Sequence, residues 1–265
     1  MTDSKGNADA DTCQSWYLDP LVALQKRQTH LDLVRSWTDG ATPTRLLKTD
    51  LFEEANGDDH ILFDVTPSPA MRFGFDLSQT TVRRAAQRFP DSNAGMFCCD
   101  VRRLSIASDS LDLIVSTSTL DHLASIRELR DAIGELARTL KPGGRLIITL
   151  DNSHNPIYWA LRLMSRLGWL PFHLGVTVSR ARMIGMLEQA GLEVLDSRML
   201  IHNPRLLSTV LFLVLRRLFG RRAHDAIAGL LRLFAALEGL PTREFTACFS
   251  AACALKPLSA KGPHA

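Results

Sequence analysis

Between residues 71 and 150 the hydrophobic positions fall into short unbroken runs, each closing on a small or acidic residue. Met71-Arg-Phe-Gly-Phe-Asp76-Leu-Ser78, Gly95-Met-Phe-Cys-Cys-Asp100-Val and Leu111-Asp-Leu-Ile-Val-Ser116 read as buried strands, since a short apolar run bounded by turn residues has the length of a strand rather than a helix. The first and third lead into helical patterns. Residues 80–89 form a basic helix with Arg83, Arg84 and Arg88 on a solvated face. Ser125 caps a second helix that runs to about Leu140, with Ile126, Leu129, Ile133, Leu136 and Leu140 facing the sheet. Lys141-Pro-Gly-Gly144 stops it, and residues 145–150 form the next strand. A helix over 178–190, stopped by Gly191, a strand over 192–200 and a final strand over 243–255 complete the pattern.

Strands alternating with helices imply an α/β fold with a doubly wound parallel sheet. In such sheets ligands sit beyond the carboxyl ends of the strands, so Asp76 and Asp100 point at one site. An ionised carboxylate there suits a ribose diol, because it accepts two hydrogen bonds in a forked geometry.

The chain before residue 71 is less regular. Residues 1–13 are polar and small and read as disordered. Asp19-Pro20 offers an N-cap and a first-turn proline for a helix carrying Leu21, Leu24, Leu31 and Val34. The first strand is placed at 46–49, with a helix from about Leu51 and a Pro67-Ser-Pro69 turn leading into the second strand. Ile61-Leu-Phe-Asp64-Val lies too close to Asp76 to leave room for a helix and a return strand. The resulting division is a tail and helical cap over 1–44, a sheet domain over 45–256 and a flexible tail over 257–265.

Two segments exceed the plain alternation, 151–177 and 202–242. Both leave and return at the carboxyl edge, so they form the roof of a substrate pocket. Leu206-Leu-Ser-Thr-Val-Leu-Phe-Leu-Val-Leu215, residues 226–240 and residues 157–170 are apolar or amphipathic helices with arginines set among them. Such surfaces line a lipophilic pocket, form a homodimer contact or rest on a membrane as a peripheral layer, and core packing of an enlarged domain is the plainer alternative.

Composition narrows the picture. A chain of 265 residues that is 46% hydrophobic buries a full core in one domain. A net charge of +3 and 7% aromatic residues, with arginines scattered, do not make a nucleic-acid surface. The five cysteines show no zinc spacing, which fits a reducing cytoplasm. No run reaches the roughly 18 apolar residues of a membrane span, and the start of the chain lacks the pattern of a signal peptide.

The order and spacing of these motifs resemble the class I S-adenosylmethionine-dependent methyltransferases, and the chain looks similar to the type 11 group. The resemblance covers roughly residues 45 to 200 and part of the end of the chain. It implies a seven-stranded Rossmann-like sheet in the order 3-2-1-4-5-7-6, S-adenosylmethionine as cofactor, and methyl transfer. In the family the acid ending the second strand, here Asp76 with Leu77 and Ser78, holds the cofactor ribose, and the acid ending the third, here Asp100 with Val101, lies beside the adenine. Ser116-Thr-Ser-Thr-Leu-Asp-His122 matches the segment after the fourth strand, and Leu140-Lys-Pro-Gly-Gly144 the turn before the fifth.

The departure lies in the first strand. The family ends it in an acid and a glycine run, whose bare backbone admits the cofactor. Here Arg45-Leu-Leu-Lys48-Thr-Asp50-Leu-Phe-Glu-Glu54 stands in that place, with no glycine before Gly57. By resemblance Lys48, Asp50 and Ser116 join the cofactor site. Asp50 either meets the ammonium of the cofactor's methionine part or is an ordinary first-turn acid, and Glu53 and Glu54 read as the latter.

Methyl transfer is an in-line displacement that mainly needs two reactants positioned and, for an oxygen or carbon nucleophile, a proton removed. His122 is the leading base, since imidazole titrates near neutrality; lining the substrate without proton transfer is its alternative role. His154, Tyr158, His202 and Arg205, at the ends of the fifth and sixth strands, are substrate-contact candidates, with Arg205 suited to an acid group. No metal site is expected. The expected substrate is a hydrophobic small molecule or lipid-like intermediate. The alternative is a non-methylating relative on the same fold, a cyclase, isomerase or lipid-binding accessory protein.

Overall fold

The computed structural model describes residues 20–38, 42–65, 71–168, 175–202 and 205–258. The tail over 1–13, Asp19 as a cap and the Pro67-Ser-Pro69 turn lie outside the described residues. Seven strands, β1 (Arg45–Thr49), β2 (Met71–Asp76), β3 (Ala94–Cys98), β4 (Leu111–Thr117), β5 (Leu140–Asp151), β6 (Glu193–Leu200) and β7 (Phe249–Leu255), form one sheet in the order β3-β2-β1-β4-β5-β7-β6. Strands β1 to β5 pair in parallel, and β7 runs antiparallel between β5 and β6.

The two faces of the sheet follow from the two-residue period of a strand. Leu47, Ile114, Leu146, Ile148 and Ala252 face one core with α4 (Ile126–Thr139) and α6 (Arg180–Gln189). Their neighbours Leu46, Leu113, Val115, Ile147 and Ala251 face the other, closed by α1 (Pro20–Thr38) and by Leu51, Val82 and Ala85 of the α2 (Phe52–Asn56) and α3 (Gln79–Arg88) region. Both faces are covered, so the strands read as unbroken apolar runs instead of alternating ones. Ser78 caps α3, Ser125 caps α4 and Ser179 caps α6, each accepting from the backbone N–H three residues on.

Several sequence expectations are corrected. The Lys-Pro-Gly-Gly stretch does not end before the strand but belongs to β5. The pairing skips from Leu111↔Leu140 to Leu113↔Arg145, so the extra residues bulge, with Gly143 at φ +82°. The backbone beyond β7 holds that bulge: Gly143 N–H donates to Lys256 O at 2.8 Å, and Lys256 N–H to Gly144 O at 2.9 Å. β7 begins at Phe249, because residues ahead of it turn through the short α9 (Arg243–Thr246). Leu24 points outward at 57% exposure, while the buried face of α1 carries Leu31, Leu33, Val34 and Trp37. Arg88 does not simply face solvent: its guanidinium donates to the carbonyls of Glu53, Glu54 and Gly57 and closes the carboxyl end of α2.

The inserted segments are helical. After β5 comes α5 (Pro156–Arg166); after β6 come α7 (Arg205–Phe219) and α8 (Ala223–Ala236). Asp151 of β5 and Leu200 of β6 both pair with Phe249, so both insertions depart from, and the chain returns to, the same edge of the sheet. Phe212, Ala223, Ile227 and Leu231 pack with Val22 of α1 into a small third core.

Candidate active site

Backbone strain marks the carboxyl edge. Asp50, Ser118 and Ile201 are the first residues past β1, β4 and β6, and they hold φ of 68°, 52° and 56°. A side chain in the left-handed region costs roughly 1–2 kcal/mol, and a β-branched residue such as Ile201 is an outlier there. Such residues persist where surrounding structure over-determines them and concentrate at functional sites. Asn93 and Asp109, the other two non-glycine cases among the described residues, sit in turns before β3 and β4, where short amide and acid side chains tolerate the conformation.

The glycine-poor loop after β1 is built around a buried ionic cluster. Lys48, 1% exposed, donates to Asp50 O at 2.7 Å, Glu54 at 2.8 Å and Glu53 at 3.2 Å. Lys26 of α1 reaches in to Glu53 at 3.0 Å and Asp59 at 2.7 Å, and the second oxygen of Glu54 accepts from the N–H groups of Ile61 and Leu62. Burial would lower the Lys48 pKa, but Glu54, Glu53 and Asp50 outweigh it and hold the ammonium above its ordinary range. Burial would likewise raise Glu53, and Lys48 and Lys26 overcome it and hold that carboxyl below its usual value. Asp50 is left on the weaker side: burial and the neighbouring Glu53 push its pKa well up against the pull of Lys48. Its carboxylate accepts from Phe52 N–H at 2.6 Å, which stabilises the left-handed turn.

The space that loop glycines would leave has moved to β2. Leu51 is fully buried, and a Cβ on Gly74 would lie 2.5 Å from its Cδ2, so Gly74 is what lets the Leu51 side chain fold under the loop. The loop is tied to the β2 tip by Leu51 N–H, which donates to Asp76 Oδ2 at 3.2 Å, while Ser78 N–H donates to Asp76 Oδ1 at 2.7 Å. Asp76 and Ser78 are half-buried and Leu77 is 70% exposed beside them. Val101 is buried in the core under the same edge. Asp100 is gripped by Arg102 through Nε and Nη2 at 2.6–3.0 Å, and Arg102 bridges to Glu128 at 3.2 Å. That side-chain hydrogen bond holds the Asp100 carboxyl below its ordinary pKa.

Hydroxyls join the tips of β1, β4 and β5. Thr49 Oγ1 lies 2.9 Å from Ser116 Oγ and 2.9 Å from Thr119 Oγ1, and Ser118 N–H donates to Thr149 Oγ1 at 2.9 Å. Ser116 is fully buried in this belt. The Ser-Thr-Ser-Thr run signalled the β4 half of the network. Thr49, Thr149, Lys26 and Asp59 were missed, because long-range pairing of lone polar residues leaves no local pattern.

The candidate substrate residues occupy different environments. His122 is exposed at the end of a 3-10 turn, Leu120–His122, and a Cβ on Gly175 would strike Asp121 O at 1.9 Å, so the backbone beyond α5 presses directly on this turn. His154 is exposed, with its ring 6.2 Å from that of Phe245. Tyr158 is buried at 4% exposure on α5. His202, also 4% exposed, shares a 2.8 Å hydrogen bond between Nδ1 and Thr246 Oγ1; its Nε2 is buried with no partner among the described residues, and burial lowers its pKa. Arg205 opens α7, and its side chain lies outside the described residues. The turn asparagines are structural: Asn152 and Asn155 donate to Ala247 O at 3.1 Å each and bind the exit of β5 to the entry of β7. Among the described residues no group of three or more His, Cys, Asp or Glu is placed to hold a metal ion. A hollow of about 330 Å³ lined by Phe89, Pro90, Asn93 and Met96 lies at the opposite, amino end of β3, away from these groups.

Comparison with known proteins fits this geometry. Residues 59–148 match the family model for a methyltransferase domain; the match starts past β1, so the charged loop lies outside it. The biotin biosynthesis bifunctional protein BioHC of Cellvibrio japonicus (strain Ueda107) is 31% identical over 107 residues, 40% of this chain. The aligned stretch spans only about a fifth of that relative (20%). The [4+2]-cyclase SpnF superposes with a TM-score of 0.56 at 22% identity, over 86% of this chain and 81% of its own. The phosphoethanolamine N-methyltransferase 2 of Haemonchus contortus, solved with phosphomonomethylethanolamine and S-adenosylhomocysteine, gives 0.56 at 16% identity, over 87% of this chain and 53% of its own. Residues 59–148, about a third of the chain, thus match a methyltransferase domain, and the seven-stranded sheet as a whole has the fold of these solved structures.

Proposed function

We propose that this chain binds S-adenosylmethionine at the tips of β1 to β4 and transfers its methyl group to a hydrophobic small molecule or lipid-like acceptor. The observation that carries the reading is Asp76. Each of its oxygens accepts one backbone N–H, which fixes the carboxylate at the crevice mouth. A carboxylate oxygen offers two acceptor sites, so a forked pair remains for a ribose diol. The acceptor sites left on Asp76 therefore suit a ribose diol despite the missing glycines.

When bound, the cofactor supplies an electrophilic methyl group. The chain's own residues then have three tasks. Asp76, Leu77 and Ser78 hold the ribose side, Asp100 and Val101 flank the base, and the Asp50 turn and the hydroxyl belt of Ser116 shape the remainder, with Lys48 acting through the cluster that sets the loop. His122 takes a proton from the acceptor, its exposed ring standing at the β4 edge. Tyr158, His154 and His202 line the acceptor from the two roofing segments, whose apolar helices favour a lipophilic molecule, and Arg205, at the start of α7, is the candidate for an acid group on it.

A second reading is a non-methylating relative. The specific feature in its favour is the loop after β1, where charged side chains replace bare backbone and which the methyltransferase family match leaves out. Incubation of the full chain with methyl-labelled S-adenosylmethionine and an apolar extract separates the two. Methyl transfer puts label in an organic-soluble product, and Asp76→Ala abolishes it. Turnover of an extract component that is unlabelled and indifferent to Asp76→Ala favours the second reading.

A further inference from the structure

The two roofing segments carry large apolar side chains on their exposed faces. In α7 the inward Phe212 is fully buried, while Leu211, Val214 and Leu218, at helical spacing on another face, are 41%, 46% and 68% exposed. In α8 Leu231 is buried and Leu233 is 62% exposed; in α5 Trp159 and Leu163, one turn apart, are 71% and 60% exposed. Scattered surface leucines are ordinary, but exposed apolar positions gathered on segments that leave one sheet edge mark an interaction surface.

The charge on the same segment identifies the partner. Residues 205–240 contain six arginines against Asp225 and Glu238, a net of +4, whereas the whole chain carries +3. The positive charge of the protein is thus concentrated on this helical pair, and the remainder is close to neutral. Arg217, Arg222 and Arg232 are exposed there. A second copy of this chain would bring one arginine-rich face against another, and interface cores are depleted in charge. Anionic headgroups complement the arginines while the acyl boundary takes the leucines. No described helix is long and apolar enough to cross a membrane, so the contact lies in the interfacial plane, where Trp159 suits the headgroup level.

We infer that the outer surface of α5, α7 and α8 docks on an anionic lipid bilayer, with the arginines at the headgroups and Trp159, Leu163, Val214, Leu218 and Leu233 at the acyl boundary. The contact does not depend on methyl transfer. It places the carboxyl edge of the sheet, from which both inserted segments depart, next to the membrane.

Flotation of the full chain with vesicles tests this directly, using phosphatidylcholine alone and phosphatidylcholine with about a third phosphatidylglycerol, at roughly 0.1 M salt where the screening length is about 10 Å. Each arginine near an anionic surface contributes roughly fivefold to partitioning. The anionic vesicles should therefore bind at least tenfold more protein, and raised salt should weaken the binding. Val214→Glu with Leu218→Glu, and separately Arg217→Glu with Arg222→Glu, should each cut binding at least tenfold. The charge reversal sits on exposed side chains and keeps the test open if the leucine variant fails to fold. Binding to neither vesicle, equal binding to both, or variants that instead break a lipid-free dimer in sedimentation equilibrium would overturn the inference.

Discussion

Replacing Lys48 by methionine probes how the loop after β1 stands without glycines. Lys48 Nζ touches Glu54 at 2.8 Å, Glu53 at 3.2 Å and the Asp50 carbonyl at 2.7 Å. Methionine fills similar volume without the charge. Glu53 keeps Lys26 at 3.0 Å, whereas Glu54, which is 0% exposed, keeps its Ile61 and Leu62 N–H bonds and loses the lysine. Removing one partner of a buried ion pair costs about 3–5 kcal/mol, because an uncompensated charge is left inside. For a domain of this size the melting temperature should fall by roughly 6–20 °C. Lys48→Met combined with Glu54→Gln removes both charges and should recover more than half of the loss, as a mutant cycle by urea unfolding would read. The pH dependence has a defined sign. Lys48 is raised above 10.5, so its contribution is full below that pH and is lost as pH rises through the folded value. Glu53 is lowered below 4.5, so its contribution is present above that pH and is lost as pH falls through the folded value. A single Lys48→Met variant within about 1 kcal/mol of the parent, or a double variant no better than the single, would refute the role of the cluster.

Gly74→Ala should cost about 1–3 kcal/mol by overpacking against Leu51, and Leu51→Ala in the same chain should remove most of that additional cost in chemical denaturation. His202 is held below its ordinary 6.5 by burial, so the neutral ring is favoured in the fold. Its contribution is full above pH 6.5 and declines as pH falls below it. The urea midpoint should therefore fall between pH 7 and about 5, and His202→Asn, which keeps a partner for Thr246, should flatten that slope.

Most of the sheet was legible in the sequence, since strands covered on both faces are short apolar runs that end where polar residues meet the edge. β2 and the capped helices α3 and α4 show this most plainly. The Lys-Pro-Gly-Gly stretch misled because its partner, the backbone at Lys256, lies more than a hundred residues away, and local turn chemistry cannot reveal a bulge held from there. Leu24 misled for a related reason: α1 buries Lys26 and His30 alongside its leucines, so the helical period of apolar residues alone does not define its inner face. At the candidate site, Asp76, Asp100 and the serine-threonine run stood at strand ends and could be found. The pairing of Lys48 with Glu54, of Lys26 with Asp59 and of Leu51 with Gly74 could not, because each joins elements whose approach is set by the whole sheet. Those pairings explain how side chains occupy a loop where bare backbone was expected.

Isothermal titration of the full chain with S-adenosylhomocysteine reads the proposed cofactor site at the tips of β1 to β4 without needing the acceptor. One site per chain is expected, with affinity falling at least tenfold in Asp76→Ala, about 1.4 kcal/mol or more for the lost charge-assisted contacts. A folded protein that releases no binding heat with either S-adenosylhomocysteine or S-adenosylmethionine, or that binds them equally well without Asp76, would contradict the proposed site.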